Sequence, residues 1–257
     1  MLNLKYSIGA LVESGRMRWD RAMSKDSWDR IKNFTLSKEE YVSLLSAGRY
    51  LGVSDEFLNV LKTFPTEPEE LPAGFRLEFV CTDGECVRAD LQRDISYGKN
   101  GQKRPTNILF SADSANPYEV EPMKNIVANL TCNPAIVYSQ FINNPAANVG
   151  NKFKNRDEVI AELGRILGSG ADISVEINDP FADRNRILEE ISRFEEILTR
   201  YRLVIKIPHT GPIHKENVDR LIQGNFEKGY DECGAEEGFY AHNLAYFLQE
   251  KGYRINF

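Results

Sequence analysis

From residue 107 onward the chain repeats one pattern: a short apolar run, a polar turn, then a stretch with apolar residues three and four apart. Ile108-Leu109-Phe110, Val127 to Leu130, Ile173 to Ile177, Leu203 to Ile207 and Tyr253 to Phe257 read as strands. Tyr118 to Ile126, Ala135 to Phe141, Asp157 to Leu167, Arg184 to Tyr201, Lys215 to Ile222 and Phe239 to Glu250 read as helices. Apolar strands separated by helices pair in parallel through right-handed crossovers. Two architectures satisfy that order, a doubly wound sheet and a (β/α)8 TIM barrel.

The polar residues at the strand ends favour the barrel. Asp113, Asn133, Glu176, Lys206 and Asn256 each fall at, or just past, the C-terminal end of a successive strand, the rim on which barrel enzymes carry their chemistry. No glycine-rich phosphate fingerprint follows the first strand, which counts against the nucleotide-binding alternative. The expected fold class is therefore α/β, a TIM barrel, and an incomplete one. The roughly 150 residues after position 107 hold about five βα units, whereas a closed barrel takes about 250 residues. The last apolar run ends at Phe257 with no terminating turn or polar tail, so the expectation is a piece of a longer product.

Residues 1–106 read as a separate region with helical periodicity, and residues 107–257 as the barrel portion. The boundary is expected in the polar stretch Ser96 to Pro105, rich in turn formers. Before it, Ser37 with Glu40 forms a capping box ahead of Tyr41, Leu44 and Leu45, and Ser54 precedes Phe57, Leu58 and Leu61, which makes a short helical pair. Leu77 to Val80 and Val87 to Leu91 read as the arms of a hairpin around Asp83-Gly84. Cys81 and Cys86 flank that turn and could face each other; reduced structural cysteines are the preferred reading, because four cysteines in 257 residues make no disulfide framework.

A hydrophobic content of 42% with 27% charged residues supplies a core and rules out global disorder. The net charge of −6 provides no overall attraction to nucleic acid or anionic membrane, and no apolar run approaches the roughly 20 residues of a membrane helix. The expected location is cytoplasmic; the chain leaves a homo-oligomer open. His209, His214 and His242 show no metal spacing and no Ser/His/Asp order stands out, so neither a metal site nor a serine hydrolase is expected. Asp231-Glu232 and Glu236-Glu237 read as a solvated acidic loop.

Lys206 is the most informative residue. A lysine inside an apolar strand either reaches water at the strand end or sits in a desolvated interior, where a neutral amine attacks carbonyls and forms a Schiff base. Asp113 either shuttles protons at the strand mouth or N-caps the helix after it. Glu176, between Val175 and Ile177, is costly to bury unless paired; it either activates a water or pairs with a lysine, and both roles are compatible. Asn133, before Pro134, suits a helix cap as well as a substrate hydroxyl.

In order, Leu109-Phe110-Ser111-Ala112-Asp113-Ser114-Ala115-Asn116, Thr131-Cys132-Asn133-Pro134-Ala135, Val175-Glu176-Ile177, Val204-Ile205-Lys206-Ile207-Pro208 and Gly252-Tyr253-Arg254-Ile255-Asn256-Phe257 resemble the strand motifs of the transaldolase family of Schiff-base TIM barrels. The resemblance covers about residues 107–257 and none of the first hundred. It implies Lys206 as nucleophile, Asp113 as general acid/base and Glu176 as partner of a catalytic water. Asn133, Thr131 and Asn256 would bind substrate. No cofactor is implied; the substrate would be a sugar phosphate of the pentose phosphate pathway, from which a dihydroxyacetone unit is transferred. Cys132 stands where the family usually has threonine, Ala135 where it has serine, and the stretch from Lys206 to Asn256 is longer than usual, with an insertion at Gly224 to Gly238. The sixth-strand serine and arginine that bind phosphate have no counterpart here. Two further readings stay open: a class I aldolase, which resembles this family but tends to carry Gln at the Glu176 position, and a non-catalytic barrel serving as a binding module.

Overall fold

The computed structural model describes residues 6–68, 70–82, 85–98, 101–105, 108–180, 182–208 and 237–257, the side chains of 237–242 excepted. The Asp83-Gly84 turn, the Lys215 to Ile222 helix, the 224–236 part of the insertion, Cys233, His209 and His214 therefore lie outside the described residues, as does the His242 side chain. The chain divides into two compact units, Met1–Asn107 and Ile108–Phe257.

The first unit is built around a sheet. Its elements are α1 (Ile8–Glu13), β1 (Arg18–Trp19), α2 (Lys25–Ile31), α3 (Lys38–Ala47), β2 (Tyr50–Val53), α4 (Asp55–Thr63), β3 (Phe75–Thr82) and β4 (Cys86–Arg93). The sheet order is β1-β2-β4-β3, with β1, β2 and β4 parallel and β3 antiparallel to β4. A helical pair with a hairpin was the expectation; β2 escapes it because four residues are too few for a periodic signal, and tertiary pairing fixes them instead. The caps are as the side chains dictate. Ser37 Oγ accepts from Glu40 N (3.1 Å) while Ser37 N donates to Glu40 Oε2 (2.7 Å), and Ser54 Oγ accepts from Phe57 N (3.0 Å). The Ser96 to Pro105 stretch folds back on this unit: Gly74 N donates to Tyr97 O (2.8 Å) and Arg104 N to Ser96 O (2.7 Å).

Hairpin register settles the two cysteines. Thr82 pairs with Cys86 and Cys81 with Val87, so Cys81 and Cys86 project from opposite faces of the ribbon. Both are free thiols.

The second unit contains β5 (Phe110–Asp113), α5 (Pro117–Val120), β6 (Val127–Cys132), a helix at Ile136–Ile142, α6 (Arg156–Leu167), β7 (Asp172–Glu176), α7 (Arg184–Arg202), β8 (Leu203–Lys206), α8 (Glu237–Glu250) and β9 (Ile255–Asn256). Its strands form one parallel sheet in the order β5-β6-β7-β8-β9. Each strand lies beside its predecessor, so right-handed crossovers place successive helices on the same face. No closed barrel forms among the described residues; β5 and β9 are the sheet's edges.

Three expectations shift locally. The first strand is Phe110–Asp113, and Ile108 and Leu109 precede it at 69% and 41% exposure. The helix expected over 118–126 is one α turn followed by a tighter one at Glu121–Met123, because Pro122 lacks the N–H needed to continue it. The Ile136–Ile142 helix is wound wide, with Asn143 N reaching back five residues to Tyr138 O (2.8 Å).

Side-chain alternation divides the sheet. Leu130, Cys132, Ile173, Val175, Ile177, Leu203, Ile205 and Ile207 join the apolar core with Val159, Ile160 and Leu163 of α6 and Ile187, Ile191, Phe194 and Leu198 of α7. The α7 residues recur at intervals of three and four, one stripe of a helix. At its end Arg202 is buried and donates to Gly164 O (2.7 Å), Gly168 O (2.9 Å) and Leu198 O (2.9 Å), which satisfies carbonyls that two helix ends leave open. Among the described residues no helix is long and apolar enough to cross a membrane.

Candidate active site

The sheet face opposite the helices is polar. Register places Ser111 beside Asn129, then Asp113 beside Thr131 and Ser174, and nearest the strand ends Glu176 beside Lys206 and Lys206 beside Asn256. In a parallel sheet register partners lie on one face about 5 Å apart, so one short walk across β7, β8 and β9 meets a carboxylate, an amine and an amide.

Lys206 Nζ lies 3.5 Å from Glu176 Oε2, with the two side chains 18% and 15% exposed. Both are withdrawn from bulk water yet still reachable, the setting in which a carboxylate and an amine act strongly on each other. Asn256 Nδ2 donates to Ser174 Oγ at 3.3 Å, which holds the amide against the buried Ser174. Ser174 belongs to this face and was passed over in the sequence; its position two residues before Glu176 in a strand was the signal.

The other predicted residues divide. Thr131 lies in β6 on the polar face, its Oγ1 buried without a hydrogen-bond partner among the described residues. Asp113 closes β5 and is exposed, and its carboxylate makes no hydrogen bond or ion pair with the described residues. It shares the face with Lys206 but stands three strands away, and no ion pair joins them. It does not cap the following helix; Asn116 does, accepting from Tyr118 N at 3.0 Å. Asn133 lies beyond β6, where its Oδ1 accepts from Ile136 N at 2.9 Å, so it acts as a helix cap.

Cys132 records the charge around the site. Its thiol faces the core and donates to Ser174 O at 3.8 Å. Burial pushes its pKa up to about 12; the Lys206 and Arg156 cations pull against that, and the Asp113 and Glu176 carboxylates add to it. Among the described residues no three His, Cys, Asp or Glu side chains are placed to hold a metal ion.

The arrangement can attack a carbonyl from Lys206, move a proton through Glu176 and hold a hydroxyl at Asn256. No model of a known protein family matches the chain, and no curated protein is a match to it.

Proposed function

We propose that this chain is a transaldolase-like enzyme that transfers a dihydroxyacetone unit between sugar phosphates through a Schiff base on Lys206, on a sheet that is a sector of a (β/α)8 barrel. The observation that carries the reading is the pairing of Lys206 with Glu176 on the polar face, at the C-terminal ends of adjacent parallel strands. The sequential strand order supports the barrel sector, since a doubly wound sheet reverses direction and this one does not.

In this mechanism the Lys206 amine adds to the ketone carbon, and loss of water leaves a protonated imine. The imine withdraws electrons from the neighbouring carbon–carbon bond. A carboxylate, Asp113, brought across from β5 as the sheet curls into the barrel, takes the hydroxyl proton as that bond breaks, an aldehyde departs and an enamine remains on Lys206. The enamine attacks an acceptor aldehyde, Asp113 returns its proton to the new hydroxyl, and water activated by Glu176 then releases the product ketose and the free amine. Asn256 and Thr131 lie on the same face for contacts to substrate hydroxyls.

Borohydride reduction in the presence of fructose 6-phosphate, and separately of dihydroxyacetone, tests this directly. Peptide mass spectrometry should find the reduced adduct on Lys206 alone, and none in Lys206→Met. A folded wild-type chain that gives no adduct with either compound would overturn the reading.

A further inference from the structure

We infer that Arg156 is a positioning residue, holding the exit of β7 so that Glu176 stays against Lys206; the inference rests on the Schiff-base reading above. Arg156 opens α6, where a cation meets the positive end of the helix dipole, and it is buried there at 8% exposure. Its Nε is also buried without a partner among the described residues. Three unfavourable features at one residue call for a compensating role.

The compensation is a clamp on Asn178. Arg156 Nη1 donates to Asn178 Oδ1 at 2.8 Å, and Arg156 Nη2 pairs with Glu190 Oε1 of α7, also at 2.8 Å. The Glu190 carboxylate accepts in turn from the Asn178 backbone N–H, at 3.2 and 3.3 Å. The guanidinium lies over the Phe194 ring, 4.6 Å from its centroid, which fixes its plane. Asn178 is thus held by side chain and backbone two residues beyond Glu176.

Between them, Ile177 N donates to Lys206 O at 3.1 Å, so β7 is fastened to β8 on one side of its exit and to α6 and α7 on the other. The precision matters because a strand's side chains alternate. A one-residue slip would turn Glu176 into the helix-facing core and put an apolar side chain beside Lys206. The guanidinium fork bridges an amide and a carboxylate at once, which an ammonium matches poorly.

The test uses the full chain and two variants that keep the positive charge, Arg156→Lys and Asn178→Ala, with Arg165→Lys on the exposed side of α6 as control. Each is labelled with trace acetic anhydride from pH 7 to 10, and the rate at Lys206 is read by peptide mass spectrometry. Loosening Glu176 uncovers the amine it now contacts, so labelling at pH 8 should rise by about threefold or more in both variants and stay unchanged in the control. Wild-type rates in folded Arg156→Lys and Asn178→Ala would overturn the inference. Asn178 is exposed, so its truncation tests the clamp even if Arg156→Lys fails to fold. Labelling needs no substrate: absence of a borohydride adduct in the wild type sinks the Schiff-base reading, whereas unchanged labelling sinks the positioning role.

Discussion

Glu176 and Lys206 are register partners at the ends of adjacent parallel strands, and their side chains meet with Oε2 3.5 Å from Nζ. The carboxylate is thus the anion held beside the amine, and under the proposed function it handles the water of imine hydrolysis. Glu176→Gln keeps the shape and the reach but accepts no proton. The expected outcome is an adduct still trapped on Lys206 with turnover reduced by about a hundredfold, a typical loss for a general base. Steady-state transfer assays beside borohydride trapping check this; unimpaired turnover would remove Glu176 from the proton path.

Cys132 makes the second unit sensitive to alkali. Its buried thiol ionises at about 12, whereas an unfolded thiol ionises near 9.0. The folded value is the higher, so the protein gains this stability fully below pH 9 and loses it as pH rises from 9 toward 12, where the unfolded chain releases a proton that the folded chain keeps. Cys132→Val fills the site without an ionisable group. Urea unfolding at pH 8 and pH 10.5 should show a smaller alkaline loss in the variant, the difference approaching about 1 kcal/mol per pH unit. Equal alkaline losses would show that the thiol ionises alike in both states.

The parts of this molecule legible in the sequence are those written by local rules. Alternation and capping located β7, α7 and β8 to within a residue or two, because strands buried between neighbours and a helix with one apolar stripe leave a periodic trace. The alignment of Glu176 with Lys206 follows from the same alternation once both strands are parallel neighbours. Asp113 is legible at the mouth of the first strand, but not as a member of β5 nor at three strands' distance from Lys206, since lateral position is set by sheet order. The Arg156 clamp left no trace, its partners Asn178 and Glu190 being 22 and 34 positions away in sequence. Short β2 was invisible for a related reason: its residues are held by strands distant in the chain.

In the first unit, Asp20 should confer acid sensitivity. The Ala22 N–H and the Arg88 guanidinium hold its carboxyl below the usual 3.8, and Gly52 lets that guanidinium through because it has no Cβ to obstruct it. A depressed folded value means the contribution is present above about pH 4 and disappears as pH falls through the folded value. Trp19 and Trp28, ring centroids 5.2 Å apart, are the chain's two tryptophans and report on this unit alone. Their fluorescence during acid titration should show Asp20→Asn less stable at pH 7 and with a shallower stability loss between pH 4 and pH 2. Parallel pH dependence in the two proteins would rule the pair out.

Thr199 is held in a conformation that suits another residue. Inside α7, three residues before its end, it has φ 63° and ψ 155°, a region in which a Cβ collides with the backbone, and its Oγ1 is buried without a partner among the described residues. Both features are costs, and glycine removes both. Relief of the backbone strain is worth about 1–3 kcal/mol, against which glycine's greater freedom in the unfolded chain costs about 0.5–1 kcal/mol. Thr199→Gly should therefore stabilise the protein by about 1 kcal/mol and raise its Tm by about 2–4 °C. Thr199→Ala, which keeps the Cβ, should recover only the part due to the hydroxyl. Thermal unfolding by circular dichroism separates the two, and a glycine variant that melts below the alanine variant would show that Thr199 carries no backbone strain.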